Sequence, residues 1–578
     1  MKEIKQSKNS LLLTFSMLLL LVLVSCKKEK QNVEYDNRPV TDGRKNSTVR
    51  VVNLGSYNQV QINGDTLTNY VVRTVNDPMT GKYPGTKYFP ENGRLGVTWN
   101  IPQDLLNQGK ASLLVEERSY GGLNSKASVD VAEDASQPMD YYFTQSTAEI
   151  GIPDDGRPLS RKFKRDITAP ANPASFKIRI INLSAPVNHT QGEEDLVGPM
   201  SLAWADGTLV SQKTSQILPG TASDYIEVPY GTIQFKVLSK AGTEVSAIFN
   251  GLIEPNTSQI INEMTSATPR PDIELTYAPM KTYAPGGVYT IVVSPSKFRI
   301  PYRFSNTGEE LSVYQNAFRL ITDVTEPLNT TYSKMQGIHA LAGTERIKLL
   351  YNGQALGGAI PYGGHSEEQT LITGNYKVDA VNEAGTVLAT ADLKLEAHTS
   401  LSLWVCRDVK GQAKISVVAN DMSGRFNIGG NDDATNSGYL QQFPVSVRFL
   451  NMSNLPYLTF TTNNGQDFGA NYAINPAAVI NLTPGSFPTE NPYVSLYRDS
   501  NPYKFMAYRS STSTVPGVWA DDIPVLTGQN LIARPELYVR GLLPNHESGI
   551  YTIALIGSVN PSAPAAQRAK MIVLKHNK

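Results

Sequence analysis

The chain has 578 residues, with 52 basic and 52 acidic side chains and two cysteines. This length suits about four domains of ~100–150 residues, and a hydrophobic fraction of 40% excludes wholesale disorder. The neutral charge balance argues against a nucleic-acid partner, and two cysteines are too few for a disulfide framework or a cysteine-rich zinc site. With 44 glycines, 36 prolines and only 18% charged residues, the composition favours turn-rich β structure.

The N-terminus predicts export and lipid anchoring. Three lysines precede the apolar run Leu11–Val24, which would be only ~20 Å long as a helix and is typical of a signal peptide. Ser25 and Cys26 follow, and this junction resembles the bacterial lipoprotein signal, in which a small residue precedes the lipidated cysteine. The resemblance implies that residues 1–25 are removed and that Cys26 carries the acyl chains, palmitate among them. Several chains give stable membrane attachment.

Lys27 follows Cys26 where an aspartate would retain a lipoprotein in the inner membrane. The resemblance therefore implies the outer membrane, with the periplasmic and the surface-facing side both left open. The alternative is an ordinary secretory signal in which Cys26 is incidental. Residues 26–46 have no hydrophobic periodicity and predict a flexible tether.

Four segments beyond the tether repeat one pattern. Each opens with an apolar strand, at Val49–Leu54, Ile178–Leu183, Ile338–Leu341 (the weakest) and Val447–Met452. A second strand and a tight turn follow, and the turn pairs Asn63-Gly64, Asp206-Gly207, Asn352-Gly353 and Asn464-Gly465 predict type I′ geometry. The last strand of each unit is Met139–Phe143, Val288–Val293, Leu401–Val405 or Ile550–Ile556.

The repeats predict an all-β fold of tandem immunoglobulin-like β-sandwiches. The expected domains are residues 47–148, 176–296, 317–420 and 444–575, the last being divergent. Residues 149–175, which are rich in proline and contain the basic run 161–165, and residues 421–443, which are rich in Gly, Asn and Asp, are expected to be linkers.

The motifs R-V-V-N-L, V-P-Y-G-T, G-V-Y-T-I-V-V and G-I-Y-T-I-A-L resemble the domain-of-unknown-function family 4397. Members are tandem immunoglobulin-like domains of secreted and lipid-anchored bacterial proteins, often from Bacteroidetes. The resemblance implies a fold and a compartment. It brings no catalytic residues.

The residues favour no catalytic, cofactor or metal site. The six histidines, His189, His339, His365, His398, His546 and His576, lack the spacing of a zinc hydrolase. Neither a Gly-x-Ser-x-Gly elbow nor a phosphate-binding loop is present. Asn431-Asp432-Asp433 could offer oxygen ligands to calcium, but a solvated linker fits this stretch better.

Several side chains have a structural and a functional interpretation. We expect Cys406 to be a buried structural thiol, and Trp204 and Trp404 to be core residues because they alternate with aliphatic residues. The 28 tyrosines suit half-buried strand positions, although such side chains can also form a platform for glycans.

The prediction is a non-enzymatic, lipid-anchored envelope protein that acts as a binding and spacer module. Its partners would be the membrane, through the lipid on Cys26, and a glycan or another envelope protein. One alternative is a structural adhesin or pilus-like subunit that binds through edge strands. The other is an envelope hydrolase with carboxylates ~5–10 Å apart in a cleft between domains.

Overall fold

The computed structural model describes residues 45–69, 85–90, 93–119, 122–134, 136–147, 150–188, 196–248, 280–301, 310–355, 357–422, 445–469, 475–496, 504–535, 547 and 549–578. Four expected features lie outside these residues: the expected signal peptide at 1–25, Cys26, most of the expected tether and nearly all of the expected linker 421–443. Asn46–Lys578 forms one compact unit. The described residues are strands, turns and short 3₁₀ segments, which confirms the all-β prediction. No helix among them is long and apolar enough to cross a membrane.

Domain 1 is a sandwich of two four-stranded sheets, ordered β4-β1-β7-β8 and β3-β2-β5-β6. Its strands are β1 (Asn46–Asn53), β2 (Gln59–Ile62), β3 (Asp65–Thr66), β4 (Thr98–Pro102), β5 (Lys110–Ser119), β6 (Gly122–Ala132), β7 (Met139–Phe143) and β8 (Ser160–Lys164). The core between the sheets contains Val51, Val60, Leu113 and Phe143, all without exposed surface.

Domain 2 has an eight-stranded sheet and a separate two-stranded sheet, β13-β16. Seven strands of the large sheet follow the order β10-β14-β15-β18-β17-β9-β11, and the eighth, β12, also pairs with β9. Its strands are β9 (Ser175–Asn182), β10 (Met200–Ala203), β11 (Thr221–Ala222), β12 (Ile226–Pro229), β13 (Gly231–Ile233), β14 (Lys236–Ser239), β15 (Glu244–Ala247), β16 (Lys281–Tyr283), β17 (Val288–Pro301) and β18 (Glu310–Val324). The strand expected after Gly231 is divided here, because β13 pairs with β16 whereas β14 pairs with β10 and β15.

Domain 3 pairs the sheet β23-β19-β26-β27 with a second sheet, β21-β20-β24-β25, to which β22 adds. Its strands are β19 (Tyr332–His339), β20 (Arg346–Tyr351), β21 (Gln354–Ala355), β22 (Ile360–Pro361), β23 (Gln369–Ile372), β24 (Gly374–Asn382), β25 (Val387–Leu395), β26 (Ser400–Arg407) and β27 (Ala413–Ala419).

Domain 4 repeats this plan with the sheets β30-β28-β34-β35 and β29-β31-β32, where β33 also pairs with β31. Its strands are β28 (Val445–Ser453), β29 (Leu458–Thr462), β30 (Tyr493–Ser495), β31 (Lys504–Ser511), β32 (Thr514–Trp519), β33 (Leu526–Thr527), β34 (Gly549–Gly557) and β35 (Lys570–Lys575).

One sheet has the same layout in all four domains. The opening strand pairs in parallel with the closing strand, as β1 with β7, β9 with β17, β19 with β26 and β28 with β34. The strand after the closing strand then adds antiparallel, as β8, β18, β27 and β35. The first two repeats therefore each contain one strand, β8 or β18, beyond the last strand that the sequence pattern predicts.

This extra strand moves two expected boundaries. Domain 1 continues to Lys164 and domain 2 to Val324. The basic run is therefore not a free linker: Ser160–Lys164 is an edge strand, and its Phe163 ring packs edge-on against Tyr142 at 5.7 Å. An edge strand with one solvated face needs only one large apolar side chain, which explains why its composition resembles that of a linker.

The domains pack in pairs through these sheets. Outer-face residues of domain 1, such as Val52 and Tyr142, meet Ile181 and Val292 of domain 2. Domains 3 and 4 pack in the same way, through Ile338, Ala340, Trp404, Cys406 and Val418 on one side and Leu450, Met452, Ala554, Ile556 and Leu574 on the other. The opening strands are thus buried on both faces, which accounts for their consecutive apolar residues.

The predicted type I′ turns have the expected two-residue form at two of four sites. Asn63-Gly64 and Asn352-Gly353 have positive φ at both positions and connect directly paired residues, Ile62 with Asp65 and Tyr351 with Gln354. Asn464 and Gly465 also have positive φ, but Thr462 pairs with Gln466, so this loop has three residues and includes Asn463. Asp206 does not adopt positive φ, although Gly207 does, at 81°. This turn is closed differently, and it lies at the cleft described below.

Candidate functional site

The arginine of the first opening strand lies at the interface between domains 1 and 2. Arg50 donates through Nε and Nη2 to the two carboxylate oxygens of Asp140, at 3.0 and 2.5 Å. Its Nη1 donates to the Thr322 carbonyl at 2.8 Å, and Nη2 also forms an ion pair with Asp323. The side chains are almost completely buried, so one guanidinium connects the closing strand of domain 1 to β18 of domain 2.

Other donors complete the coordination of the two carboxylates. Arg165 Nη1 donates to Asp140 at 3.0 Å. The hydroxyls of Thr290 and Tyr225 donate to Asp323 Oδ2 at 2.5 and 2.9 Å. Asp140 and Asp323 are the carboxylate pair that this interface brings together, and the contacts around them are those of an interdomain ion-pair network.

Arg179, the equivalent of Arg50 in domain 2, borders the same network. Its Nε donates to Thr290 Oγ1 at 3.0 Å, its Nη1 donates to the Lys164 carbonyl at 2.6 Å, and its guanidinium lies 4.4 Å from the Tyr225 ring centre. A cleft of about 690 Å³ opens beside it, with Arg165 also in its lining.

Burial and charge act in opposite directions in this network. Burial raises the pKa of Asp140, and the charges of Arg50 and Arg165 act against that change. Burial alone would lower the pKa of Arg50, but the carboxylates of Asp140 and Asp323 raise it above its ordinary value. The guanidinium is therefore held in its charged form.

The corresponding arginine of domain 4 has neutral acceptors. Arg448 donates to the Ala419 carbonyl at 2.6 Å, to Asn420 Oδ1 at 2.5 Å and to Thr552 Oγ1 at 3.1 Å. Burial lowers its pKa. It joins β28 to the end of β27, so the motif arginine connects two domains in both pairs.

Domain 3 replaces the motif asparagine by histidine. Strand register places His339 opposite Val405, where the other domains have Asn53, Asn182 and Asn451. Its Nδ1 accepts from Leu341 N–H at 3.3 Å, as Asn451 Oδ1 accepts from Ser453 N–H, and its Nε2 lies 3.1 Å from the Thr344 carbonyl. The neutral imidazole with the proton on Nε2 satisfies both contacts.

A second cleft lies where domain 2 meets the C-terminal segment of domain 4, and we call it the Trp204 cleft. It has a volume of about 360 Å³ and is lined by Trp204, Ala205, Asp206, Lys575, Asn577 and Lys578. The backbone of Lys578 pairs with domain 2, since its N–H donates to Thr232 O at 3.1 Å and its carbonyl accepts from Gln234 N–H at 2.8 Å.

The turn after β10 positions the domain 2 side of this cleft. Gly207 N–H donates to the Trp204 carbonyl at 2.9 Å, and Trp204 N–H donates to the Thr208 carbonyl at 2.8 Å. Asp206 Oδ1 accepts from the N–H and hydroxyl of Thr208 at 2.9 and 2.6 Å. The Trp204 ring is half-buried and stacks on Phe235, with ring centres 5.7 Å apart and planes 24° apart.

One ion pair lies on each side of the junction between domains 2 and 4. Lys575 Nζ lies 3.1 Å from Oε1 of the buried Glu547. Lys236 and Glu244 of domain 2 form a second, nearly fully buried pair at 2.5 Å. Burial raises the pKa of Glu244, the Lys236 ammonium opposes this, and the negative charge of Glu547 adds to the rise.

The residues singled out in the sequence are widely separated. Cys26 and Asn431-Asp432-Asp433 lie outside the described residues. Cys406 is buried, as predicted, at the interface of domains 3 and 4, with Sγ 3.7 Å from Ser416 Oγ, and burial raises its pKa. Trp404 is also fully buried there, whereas Trp204 is only half-buried and lines a cleft. The described residues contain no group of three metal-ligating side chains.

Sequence reasoning did not find the C-terminal half of the Trp204 cleft. Lys575, Asn577 and Lys578 form no motif, and they reach domain 2 only because β35 is an edge strand whose continuation pairs with Thr232 and Gln234. No local sequence signal indicates such a long-range contact.

No family model matches the chain, and no curated protein matches it. Among solved structures, the Bacillus anthracis TIE protein is 9% identical, with 86% of this chain and 68% of that chain covered and a TM-score of 0.11. A product complex of the multi-modular glycogen-degrading pneumococcal virulence factor SpuA is 10% identical, with 63% and 38% covered and a TM-score of 0.11. Likenesses this weak carry no argument about fold or function.

Proposed function

We propose that the protein is a non-enzymatic, lipid-anchored component of a bacterial cell envelope that presents four β-sandwiches as a binding and spacer module. The single observation that carries the anchor is Ser25-Cys26 at the end of the apolar run Leu11–Val24. The likeness of the repeats to the domain-of-unknown-function family 4397 supports the same compartment. Its partners are the membrane, through the lipid, and a ligand of the envelope.

The interdomain contacts support a spacer role. The pairs 1–2 and 3–4 are joined by apolar faces and by a buried arginine in each. Such interfaces keep a fixed orientation between the two domains of each pair. A module that presents a ligand site away from the membrane needs this rigidity.

The two cysteines provide a matched test of the anchor. Cys26→Ala in the full chain should move the protein from the membrane fraction to the soluble fraction and abolish labelling by a palmitate analogue. Cys406→Ala, which removes a buried thiol, should change neither. Membrane retention of Cys26→Ala equal to that of the wild type would refute the proposal.

A second candidate is an adhesin or pilus-like subunit, and one feature favours it. Strands β17 and β18 pair over fourteen positions, from Val288↔Val324 to Pro301↔Glu310. Pairing with β9 extends along β17 only to Val293, and pairing with β15 extends outward along β18 only to Ala317. In the described residues the outer part of this hairpin therefore pairs only with itself. Such an arm offers edges for strand addition.

Shortening the arm tests this candidate. Ser296 and Gln315 are opposite each other, so an Asn-Gly pair can replace residues 297–314 as a two-residue turn. An adhesin should lose partner or self-association while the thermal midpoint stays within a few degrees. Association that persists in the shortened protein would eliminate the arm as the contact.

A further inference from the structure

We propose that the Trp204 cleft binds an uncharged sugar ring of an envelope glycan. This inference rests on the proposed binding function and adds the ligand class and the residues that bind it. It depends on an aromatic surface, an unsatisfied buried donor and a balanced set of charges, all at the junction of domains 2 and 4.

The aromatic surface is the indole of Trp204. Stacking on Phe235 fixes the plane of this ring, and the part that is not buried lines the cleft. Pyranose rings have an apolar face of C–H groups, which a flat and rigid aromatic side chain covers well. The volume of about 360 Å³ is near the lower limit for small-molecule sites and suits one or two sugar units.

The unsatisfied donor is the side-chain amide of Asn577. The residue is only 4% exposed, and its Oδ1 accepts from Ile550 N–H at 2.9 Å, which determines the orientation of the amide. Its Nδ2 is buried and has no hydrogen-bond partner in the structure. An unpaired buried donor costs about 1–3 kcal/mol, so a ligand hydroxyl that reached Nδ2 would recover that cost.

The charges around the cleft favour hydroxyls over an anion. The ammonium of Lys575 is paired with Glu547 at 3.1 Å. The remaining charged lining residues are Lys578 and Asp206. The Lys578 Nζ lies over the Trp204 ring, 5.8 Å from its centre, so a sugar that stacks on this ring takes the place of the ammonium. The lining carries groups of both signs and offers donors and acceptors on both sides. Hydroxyl groups act as donors and acceptors and match this arrangement.

The test uses residues 27–578, which contain the entire folded unit, on an array of neutral and acidic glycans, followed by titration calorimetry with the best neutral disaccharide. Trp204→Ala should weaken binding at least about tenfold, because an aromatic contact carries much of the affinity in such sites. Trp519→Ala is the matched control, since Trp519 is 45% exposed on β32 and lies outside the cleft.

A second variant separates binding from folding. Asp206→Asn keeps the Oδ1 acceptor for Thr208 but removes the negative charge from the lining of the cleft. We expect weaker binding by at least about threefold with an unchanged thermal midpoint.

Three results would overturn the proposal: no neutral glycan bound by the wild type, binding only to acidic glycans, or equal binding by Trp204→Ala and Trp519→Ala. None of these would affect the membrane fractionation of Cys26→Ala, so failure of the sugar site and failure of the anchored function can be told apart.

Discussion

Arg50→Ala should strongly destabilise the pair of domains 1 and 2. The substitution removes two hydrogen bonds to Asp140, one to the Thr322 carbonyl and the ion pair with Asp323. Both carboxylates stay buried, although Asp140 keeps Arg165 and Asp323 keeps two hydroxyl donors. Removing one partner of a buried ion pair costs about 3–5 kcal/mol. For domains 1 and 2, which span Asn46 to Val324, this is a shift in thermal midpoint of about 5–9 °C.

Scanning calorimetry of residues 27–578 measures the effect as a lower midpoint of the transition in which domains 1 and 2 unfold. Arg346→Ala is the matched control, since Arg346 is half exposed and lies 3.9 Å from Glu383, and such a surface pair contributes about 0–1 kcal/mol. The loss in Arg50→Ala should shrink from pH 7 toward pH 4, because burial raises the pKa of Asp140 and a protonated carboxyl tolerates burial. A midpoint no lower than that of Arg346→Ala would refute the reasoning.

Three further predictions concern other buried groups. Burial lowers the pKa of His339 to about 4, against about 6.5 in the unfolded chain. Its contribution to stability is therefore complete above pH 6.5 and falls as the pH decreases toward 4, by up to about 3 kcal/mol. His339→Asn should flatten this part of the stability profile in urea titrations, and an unchanged slope would contradict the assignment. In the fragment of residues 27–578, the thiol of Cys406 should react with Ellman's reagent only upon unfolding, because it is buried and its pKa is raised. Rapid reaction of the native protein would show that the interface of domains 3 and 4 opens. Arg319 is 8% exposed, its Nε has no hydrogen-bond partner, and burial lowers its pKa to about 10. Arg319→Met should raise the thermal midpoint by a few degrees, because a buried cation with no carboxylate partner among the described residues is replaced by an apolar chain of similar length. A lower midpoint would mean that the guanidinium has a stabilising contact.

Much of the fold follows from local sequence patterns. The opening and closing strands, two of the four predicted turns and the all-β class depend on residues a few positions apart, and those patterns were sufficient. Strand β8 was missed because an edge strand with one apolar residue resembles a polar linker. His339 was a departure from the motif in the sequence, and only strand register shows that its imidazole occupies the asparagine position.

The candidate sites depend on contacts that a linear pattern does not contain. A motif arginine on a strand of alternating residues would normally face water, yet Arg50 is buried because a second domain covers that face of the sheet. Trp204 alternates with aliphatic residues as a core side chain does, yet its ring ends at a cleft that Asn577 and Lys578 complete from the other end of the chain.

The sequence by itself therefore determined the strand content and the number of repeats, because these depend on short-range periodicity. The predicted envelope compartment likewise comes from the sequence alone, through its N-terminal signal. Only the tertiary structure decided which faces of the sheets are buried and which side chains meet at the junctions between domains. The physical reason is that burial of a face depends on a partner surface distant in sequence, and the pattern within one strand does not identify that partner.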